Sequence, residues 1–177
     1  MFKAIYQRLS AVLSKPEINA AQAWQTEGGE AKHAFWLFAA PVTMLPGQDS
    51  FYMGDPAPAE ILQEESVALM AGLNQLFTDD GYHFYLVNHI WFLGLDADPQ
   101  ITTTPIADVV NKNVALYLPQ GEGASTWNKA QTEIQMLLFA HPVNQAREVQ
   151  GQPMINSLWC YGLGASELGT SELGTYE

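Results

Sequence analysis

Three polar side chains follow one another at three-residue intervals in the C-terminal part of the sequence. They are His141, Asn144 and Arg147, and on a helical turn this spacing places them close to one face. Asn156 follows a turn that contains Gly and Pro, so the chain could bring it back beside them. The guanidinium of Arg147 can make a bidentate contact with a carboxylate or phosphate. These four residues are therefore the candidate lining of a small anion-binding pocket.

The same residues also have a structural interpretation. Asn144 could cap the N-terminus of a helix, and Arg147 could pair with Glu133 or Glu148 on the surface. The spacing is compatible with a ligand site and with a scaffold. The surroundings of the Arg147 side chain in the folded protein distinguish the two hypotheses, because a ligand needs that guanidinium to be accessible.

The other residues that could do chemistry are scattered along the chain. The four histidines, His33, His83, His89 and His141, are far apart in sequence. His83 and His89 flank a turn and could face each other across a hairpin, but a metal site there needs a third ligand that the spacing does not indicate. We therefore expect packing roles for them. The single cysteine, Cys160, lies in an apolar run and is predicted to be a buried, unreactive thiol.

No familiar catalytic motif is recognisable in the sequence. It has no Gly-rich phosphate loop, no Gly-x-Ser-x-Gly turn and no His-Glu-x-x-His helix. The acidic pairs Glu64-Glu65 and Asp79-Asp80, together with Asp96 and Asp98, are predicted to form solvated helix faces or turns. The residues therefore predict neither a metal ion nor an organic cofactor.

Composition restricts the classes of partner. The 177 residues include 19 acidic and 7 basic ones, for a formal net charge of −12. A surface of this kind repels nucleic acid and anionic membranes, so we expect neither as a partner. No apolar stretch approaches the length of a membrane span, and charges interrupt the apolar pattern of the N-terminus, which is unlike a signal peptide. We expect a cytoplasmic protein.

The pattern predicts one α+β domain over residues 1–164. It begins with a helix over residues 1–15, which could dock on the core or on a second subunit, followed by a polar linker over residues 16–32. Strands are predicted over residues 33–44, 82–87, 89–95 and 155–161. Helices are predicted from Pro58 to the turn at residues 78–81, and over residues 106–116, 126–140 and 144–150. His141-Pro142 must break or bend the helix over residues 126–140. The inward stripe predicted for that helix is Trp127, Ala130, Ile134, Leu137 and Leu138, with Asn128, Gln131 and Gln135 off it.

This order of elements predicts a small mixed or mainly antiparallel sheet with helices packed on one face. The chain then ends in a repeat, because Ser-Glu-Leu-Gly-Thr occurs at residues 166–170 and again at 171–175. Two copies of a polar, Gly-containing pentapeptide cannot build a core. Residues 165–177 are therefore predicted to be a mobile low-complexity tail.

The segment over residues 132–164 contains a distinctive series of residues. They are Glu133-Ile134-Gln135-Met136-Leu137-Leu138, His141-Pro142-Val143-Asn144, Ala146-Arg147-Glu148, Gly151, Pro153, Asn156-Ser157, Trp159, Gly162 and Gly164. This series looks like the C-terminal signature of a bacterial family described as phosphoglycerate mutase-like, or as regulatory protein RpfE, and is similar in part to archaeal cofactor-independent phosphoglycerate mutases. Residues 79–84, 91–93, 95–97 and 102–105 also resemble that family, so the resemblance spans roughly residues 35–164.

The resemblance implies a mutase-related fold, but also chemistry whose residues are not recognisable here. Such mutases need two divalent metal ions and a nucleophile such as serine, held in a separate α/β core. The favoured hypothesis is therefore a non-catalytic regulatory or ligand-binding module, in which His141, Asn144, Arg147 and Asn156 line a pocket for a small anionic ligand. The alternatives are a mutase-type enzyme acting on phosphorylated three-carbon acids, and a homodimeric protein-interaction module.

Overall fold

A four-stranded antiparallel sheet forms the centre of the computed structural model, which describes residues 19–54 and 60–169. The strands are β1 (Phe35–Val42), β2 (Met44–Pro46), β3 (Phe51–Met53), β4 (Tyr82–Val87), β5 (Ile90–Leu95) and β6 (Ser157–Ala165). In the sheet β4, β5, β1 and β6 lie side by side in that order, while β2 and β3 pair separately. The predicted helix over residues 1–15 lies outside the described residues.

The predicted hairpin between β4 and β5 is confirmed. Asn88 and His89 connect the two strands, and both have left-handed backbone angles, with φ of 48° and 67°. Two left-handed residues in a two-residue loop match the right-handed twist of the flanking strands. Because His89 occupies this exposed turn while His83 lies on β4, the two histidines do not face each other, contrary to the hypothesis from the sequence.

Pro41 lies near the end of β1, as expected for a residue that has no N–H to donate to a sheet. Over Phe35–Phe38, β1 is paired with both β5 and β6. Beyond Phe38 it keeps only β6 as a neighbour, and Pro41 is opposite Leu158 in that pairing. The proline therefore falls where the strand has one free edge.

Three helices cover one face of the sheet. They are α2 (Gln63–Phe77), α3 (Ala124–Ala140) and α4 (Pro142–Val149), with α1 (Ala20–Thr26) preceding them in the chain. The apolar stripe predicted for α3 is confirmed, since Trp127, Ile134 and Leu138 are buried. His141-Pro142 separates α3 from α4, as proline geometry requires. The predicted α+β class and the mainly antiparallel sheet are therefore confirmed.

The other face of the sheet is covered by α1, where the sequence predicted a linker over residues 16–32. That prediction is wrong for Ala20–Thr26. The side chain of Asn19 accepts a hydrogen bond from the backbone N–H of Gln22, and Oε1 of Gln22 accepts one from the backbone N–H of Asn19, which forms a capping box. Trp24 stacks on Trp36 with ring centroids 4.1 Å apart. Helices therefore lie on both faces of the sheet.

The helix predicted over residues 106–116 is replaced by two separate 3₁₀ turns, Ile106–Asp108 and Val114–Leu116. Between them the backbone keeps short-range bonds, such as that from the N–H of Lys112 to the carbonyl of Val109, and also bonds to β3. The N–H of Met53 donates to the carbonyl of Lys112, and the N–H of Asn111 donates to the carbonyl of Met53. These long-range bonds use groups that a continuous helix would have needed.

The last strand continues further than predicted, to Ala165, and Ser166 is also buried. The hydroxyl of Ser166 donates to the carbonyl of His33 at 2.7 Å. The start of the predicted tail is therefore part of the folded domain, and the tail beyond residue 169 lies outside the described residues. Among the helices of residues 19–54 and 60–169, none has both the length and the hydropathy to cross a membrane.

Candidate functional site

Arg147 is buried, with a side chain only 2% exposed, and it is paired within the protein. Its Nη1 donates to the carboxylate of Glu65 at 2.8 Å, and its Nε donates to the carbonyl of Pro153 at 2.8 Å. The partner is Glu65, on the first turn of α2, and neither Glu133 nor Glu148, which the sequence had suggested. The contact ties α4 to the start of α2.

Asn144 is fully buried beside it and is not a helix cap. Its Nδ2 donates to the carbonyls of Leu138 and Ile155, both at 2.7 Å, and its Oδ1 accepts from the N–H of Ile155 at 2.8 Å. One carboxamide thus bonds to three backbone groups, two of them on Ile155 and the third the carbonyl of Leu138, which also accepts from the N–H of His141. Asn144 fastens the end of α3 to the approach of β6.

His141 and Asn156 also bond to the backbone. Nδ1 of His141 accepts from the N–H of Val143 at 3.2 Å and caps α4. The carboxamide of Asn156 accepts from the N–H of Met44 at 2.7 Å and donates to its carbonyl at 2.9 Å. The four residues predicted to line a pocket therefore hold helices and strands together. Their ligand-binding role stays a prediction, and their contacts support a structural one.

A cavity of about 310 Å³ lies beside the free edge of β6, between that strand, α3 and residues 114–119. Its walls are mainly apolar and include two indole rings, and within residues 19–54 and 60–169 no charged side chain lines it. The lining residues are Met44, Ser50, Phe51, Val114, Ala115, Leu118, Pro119, Trp127, Asn128, Gln131, Thr132, Gln135, Leu158, Trp159 and Cys160.

Two glutamines of α3 supply ordered polar groups in this cavity. Gln131 and Gln135 donate from Nε2 to the hydroxyl of Ser157 at 3.0 and 3.1 Å, and Gln131 also reaches the carbonyl of Leu158. Sequence reasoning placed both glutamines off the inward stripe of α3 and gave them no role. Their i, i+4 spacing was the available signal. Burial raises the pKa of the Cys160 thiol in the wall to about 12, which agrees with the predicted unreactive thiol.

A second polar cluster lies at the opposite edge of the sheet, around Asp96. Its carboxylate contacts Nδ1 of His33 at 2.6 Å and Nε2 of His83 at 3.1 Å. Nε2 of His33 is 2.7 Å from the hydroxyl of Tyr85. Burial lowers the pKa of His33, and the hydrogen bond with His33 lowers that of Asp96, so a neutral ring faces a carboxylate at neutral pH. Sequence reasoning missed this cluster.

Comparison with known proteins gives similarity to cofactor-independent phosphoglycerate mutases over part of their length. No protein-family model matches the chain. It is 25% identical over 113 residues to the 2,3-bisphosphoglycerate-independent phosphoglycerate mutase of Methanosarcina mazei, covering 62% of this chain and 28% of the relative. The corresponding protein of Methanosarcina barkeri is 25% identical over 126 residues, covering 70% of this chain and 32% of the relative.

Two solved structures share the fold. One is the cofactor-independent phosphoglycerate mutase from Thermoplasma acidophilum, with a TM-score of 0.57 and 16% identity, matched over 81% of this chain and 40% of that one. The other is the PH0037 protein from Pyrococcus horikoshii, with a TM-score of 0.50 and 15% identity, over 83% and 32%. The chain therefore has a phosphoglycerate mutase-like fold and spans less than a third of the length of these curated relatives.

The buried ion pair yields a stability prediction. Glu65→Ala should lower the free energy of unfolding by about 3–5 kcal/mol, because it leaves the Arg147 guanidinium buried without its counter-charge. Glu64→Ala, an exposed neighbour on the same turn, is the matched control and should change it by no more than about 0.5 kcal/mol. Urea denaturation followed by circular dichroism measures both, and equal effects of the two variants would contradict a structural role for the pair.

His141 yields a pH prediction. Burial lowers its pKa below the ordinary value of 6.5, so the unfolded chain binds its proton first as pH falls. The free energy of unfolding should therefore decrease as pH falls below about 6.5 and stop responding to this group below the lowered folded pKa.

The matched variant is His141→Asn, which keeps a capping side chain but does not titrate. Denaturation between about pH 5 and pH 7.5 should show a smaller loss of stability for this variant than for the native protein. Identical pH profiles for the two proteins would contradict the assignment.

Proposed function

We propose that this chain is a non-catalytic ligand-binding module with a phosphoglycerate mutase-like fold, and that its ligand occupies the cavity beside β6. The observation that supports this most directly is the lining of the cavity. It combines the rings of Trp127 and Trp159 with the carboxamides of Gln131 and Gln135. Its volume of about 310 Å³ is at the lower end of the range of small-molecule sites, which are mostly apolar with a few placed polar groups.

The lining favours an uncharged ligand. A phosphorylated acid that entered this cavity would lose hydration without gaining a cationic partner, which is energetically costly. The anchor expected for an anion, Arg147, is already paired with Glu65 and is buried. A flat, largely apolar molecule that carries hydrogen-bonding groups along one edge matches the indole walls and the amide groups better.

The same lining supports binding without catalysis. Among the lining residues that the structure describes, the hydroxyls of Ser50 and Thr132 and the thiol of Cys160 could serve as nucleophiles. Activating any of them requires a neighbouring general base or a lowered pKa. The same described lining residues include no His, Asp, Glu or Lys, and burial raises the pKa of Cys160. Mutase chemistry, which the names of the relatives describe, remains the alternative for this chain.

A blocking variant tests the cavity. Ala115→Trp places a large ring in the wall, whereas Leu116→Trp changes the next residue, which is exposed and outside the lining. Ligand-observed NMR with a set of neutral aromatic fragments, and separately with 3-phosphoglycerate, should detect fragments that bind the native protein and Leu116→Trp but not Ala115→Trp.

Two results would count against the proposal. If the neutral fragments fail to bind, or bind Ala115→Trp as well as the native protein, the cavity is not the site. If the chain binds 3-phosphoglycerate and converts it to 2-phosphoglycerate in the presence of Mn²⁺, the mutase alternative is correct.

A further inference from the structure

The imidazole of His33 and that of His83 converge on one carboxylate, although they come from different parts of the chain. His33 precedes β1, His83 lies on the edge strand β4, and Asp96 follows β5. One ligand atom from each residue lies within 4.8 Å of the other two. With metal–ligand bonds of about 2.0–2.2 Å, the ligands of a tetrahedral zinc ion lie roughly 3.3 Å apart, so modest rotations would bring the three into range.

The backbone of β5 is shaped to hold this cluster. Gly94 lies opposite His83 on one side and Trp36 on the other. A Cβ at this position would overlap the ring of His33. Because Gly94 has no side chain, the His33 ring can lie across β5 and stack on the His83 ring, with centroids 4.2 Å apart and an angle of 20° between the ring planes. A glycine at this position therefore allows the His33 ring to approach the backbone of β5 closely.

Tyr85 supports the buried ring from its far side. Its hydroxyl lies 2.7 Å from Nε2 of His33. When Nδ1 of His33 binds a metal, Nε2 carries the proton and donates it to this hydroxyl, which fixes the ring tautomer and orientation. Histidine ligands in metalloproteins usually have such a partner.

The cluster is also accessible and suitably charged. The side chains of His83 and Asp96 are 21% and 57% exposed, so an ion can reach them from solvent, while His33 is buried. Two neutral imidazoles and one carboxylate supply a single negative charge towards a divalent cation. The nearest cation on the same segment, Lys32, is paired with Glu30 at 3.3 Å.

We propose that His33, His83 and Asp96 form a binding site for a divalent transition-metal ion of the zinc type. Imidazole ligands select zinc, cobalt and nickel over magnesium and calcium, which prefer oxygen ligands. Three protein ligands leave a coordination position for water or another ligand. The site differs from the cavity beside β6 and does not depend on the function proposed for that cavity.

The experiment uses the full chain after treatment with a chelator. Titration with Co²⁺ should give the visible absorption of a low-symmetry, imidazole-bound ion, and calorimetry with Zn²⁺ should show one site per chain. In two-dimensional NMR of the histidine rings, Zn²⁺ should shift the nitrogens of His33 and His83 and leave those of His89 and His141 unchanged.

Three variants and one control variant test the site. His83→Ala and Asp96→Asn each remove a ligand and should weaken Zn²⁺ binding by about 100-fold or more, since loss of an outer partner alone costs 10–100-fold. Tyr85→Phe, which removes the outer partner, should weaken it by about 10–100-fold. His89→Asn, a change in the same hairpin that preserves the left-handed turn, should have no effect.

The proposal is overturned if the native chain binds no Zn²⁺ or Co²⁺. It is also overturned if His83→Ala and Asp96→Asn, shown to be folded by circular dichroism, bind as tightly as the native chain. Preference for Mg²⁺ over Zn²⁺ would contradict the metal class.

Discussion

The buried guanidinium of Arg147 is the constraint on which the arrangement of the helices depends. A charge removed from water must be paired and hydrogen-bonded, or the fold loses several kcal/mol. Here the required partners come from three places: the carboxylate of Glu65 on α2, the carbonyl of Pro153 in the following turn, and the carbonyl of Glu60. Because one planar group must reach all three, α4 has little freedom to slide along α2. Asn144 adds the same kind of constraint between α3 and the approach to β6.

Patterns local in sequence predicted most of the regular structure. The structure confirms three features that depend on a few neighbouring residues: the aromatic-rich runs of β4 and β5, the apolar stripe of α3 and the proline break at Pro142. The secondary-structure predictions failed where contacts with residues distant in sequence determine the local structure. The segment between Ile106 and Leu116 is a pair of 3₁₀ turns because β3 takes its backbone hydrogen bonds. Ala20–Thr26 is helical, although few large apolar residues mark it, because Trp24 is buried against the sheet.

For the candidate site residues as well, local features could be predicted from the sequence and long-range contacts could not. Sequence spacing correctly placed His141, Asn144 and Arg147 near one another, but it could not show that Glu65, 82 residues away, satisfies the arginine. Similarly, nothing local relates His33 to Asp96, which is 63 residues further along the chain. Their contact follows from the pairing of β1 with β5 and from the lack of a side chain at Gly94. A sequence therefore shows which polar residues are present, but strand register determines which of them a ligand can reach in the folded protein.

The two proposed sites lie at opposite edges of one sheet, and the distance between them determines how strongly a substitution at one site affects the other. His83 is on β4 and the cavity is beside β6, with β5 and β1 between them. At about 4.8 Å between neighbouring strands, they are roughly 14 Å apart across the sheet. Sites at that distance without shared partners usually respond to substitution independently. The acidic surface favours a cation at the Asp96 edge, whereas the uncharged cavity excludes charge of either sign. The two proposed sites therefore make separate demands on the fold, and a substitution in one is expected to leave the other unchanged.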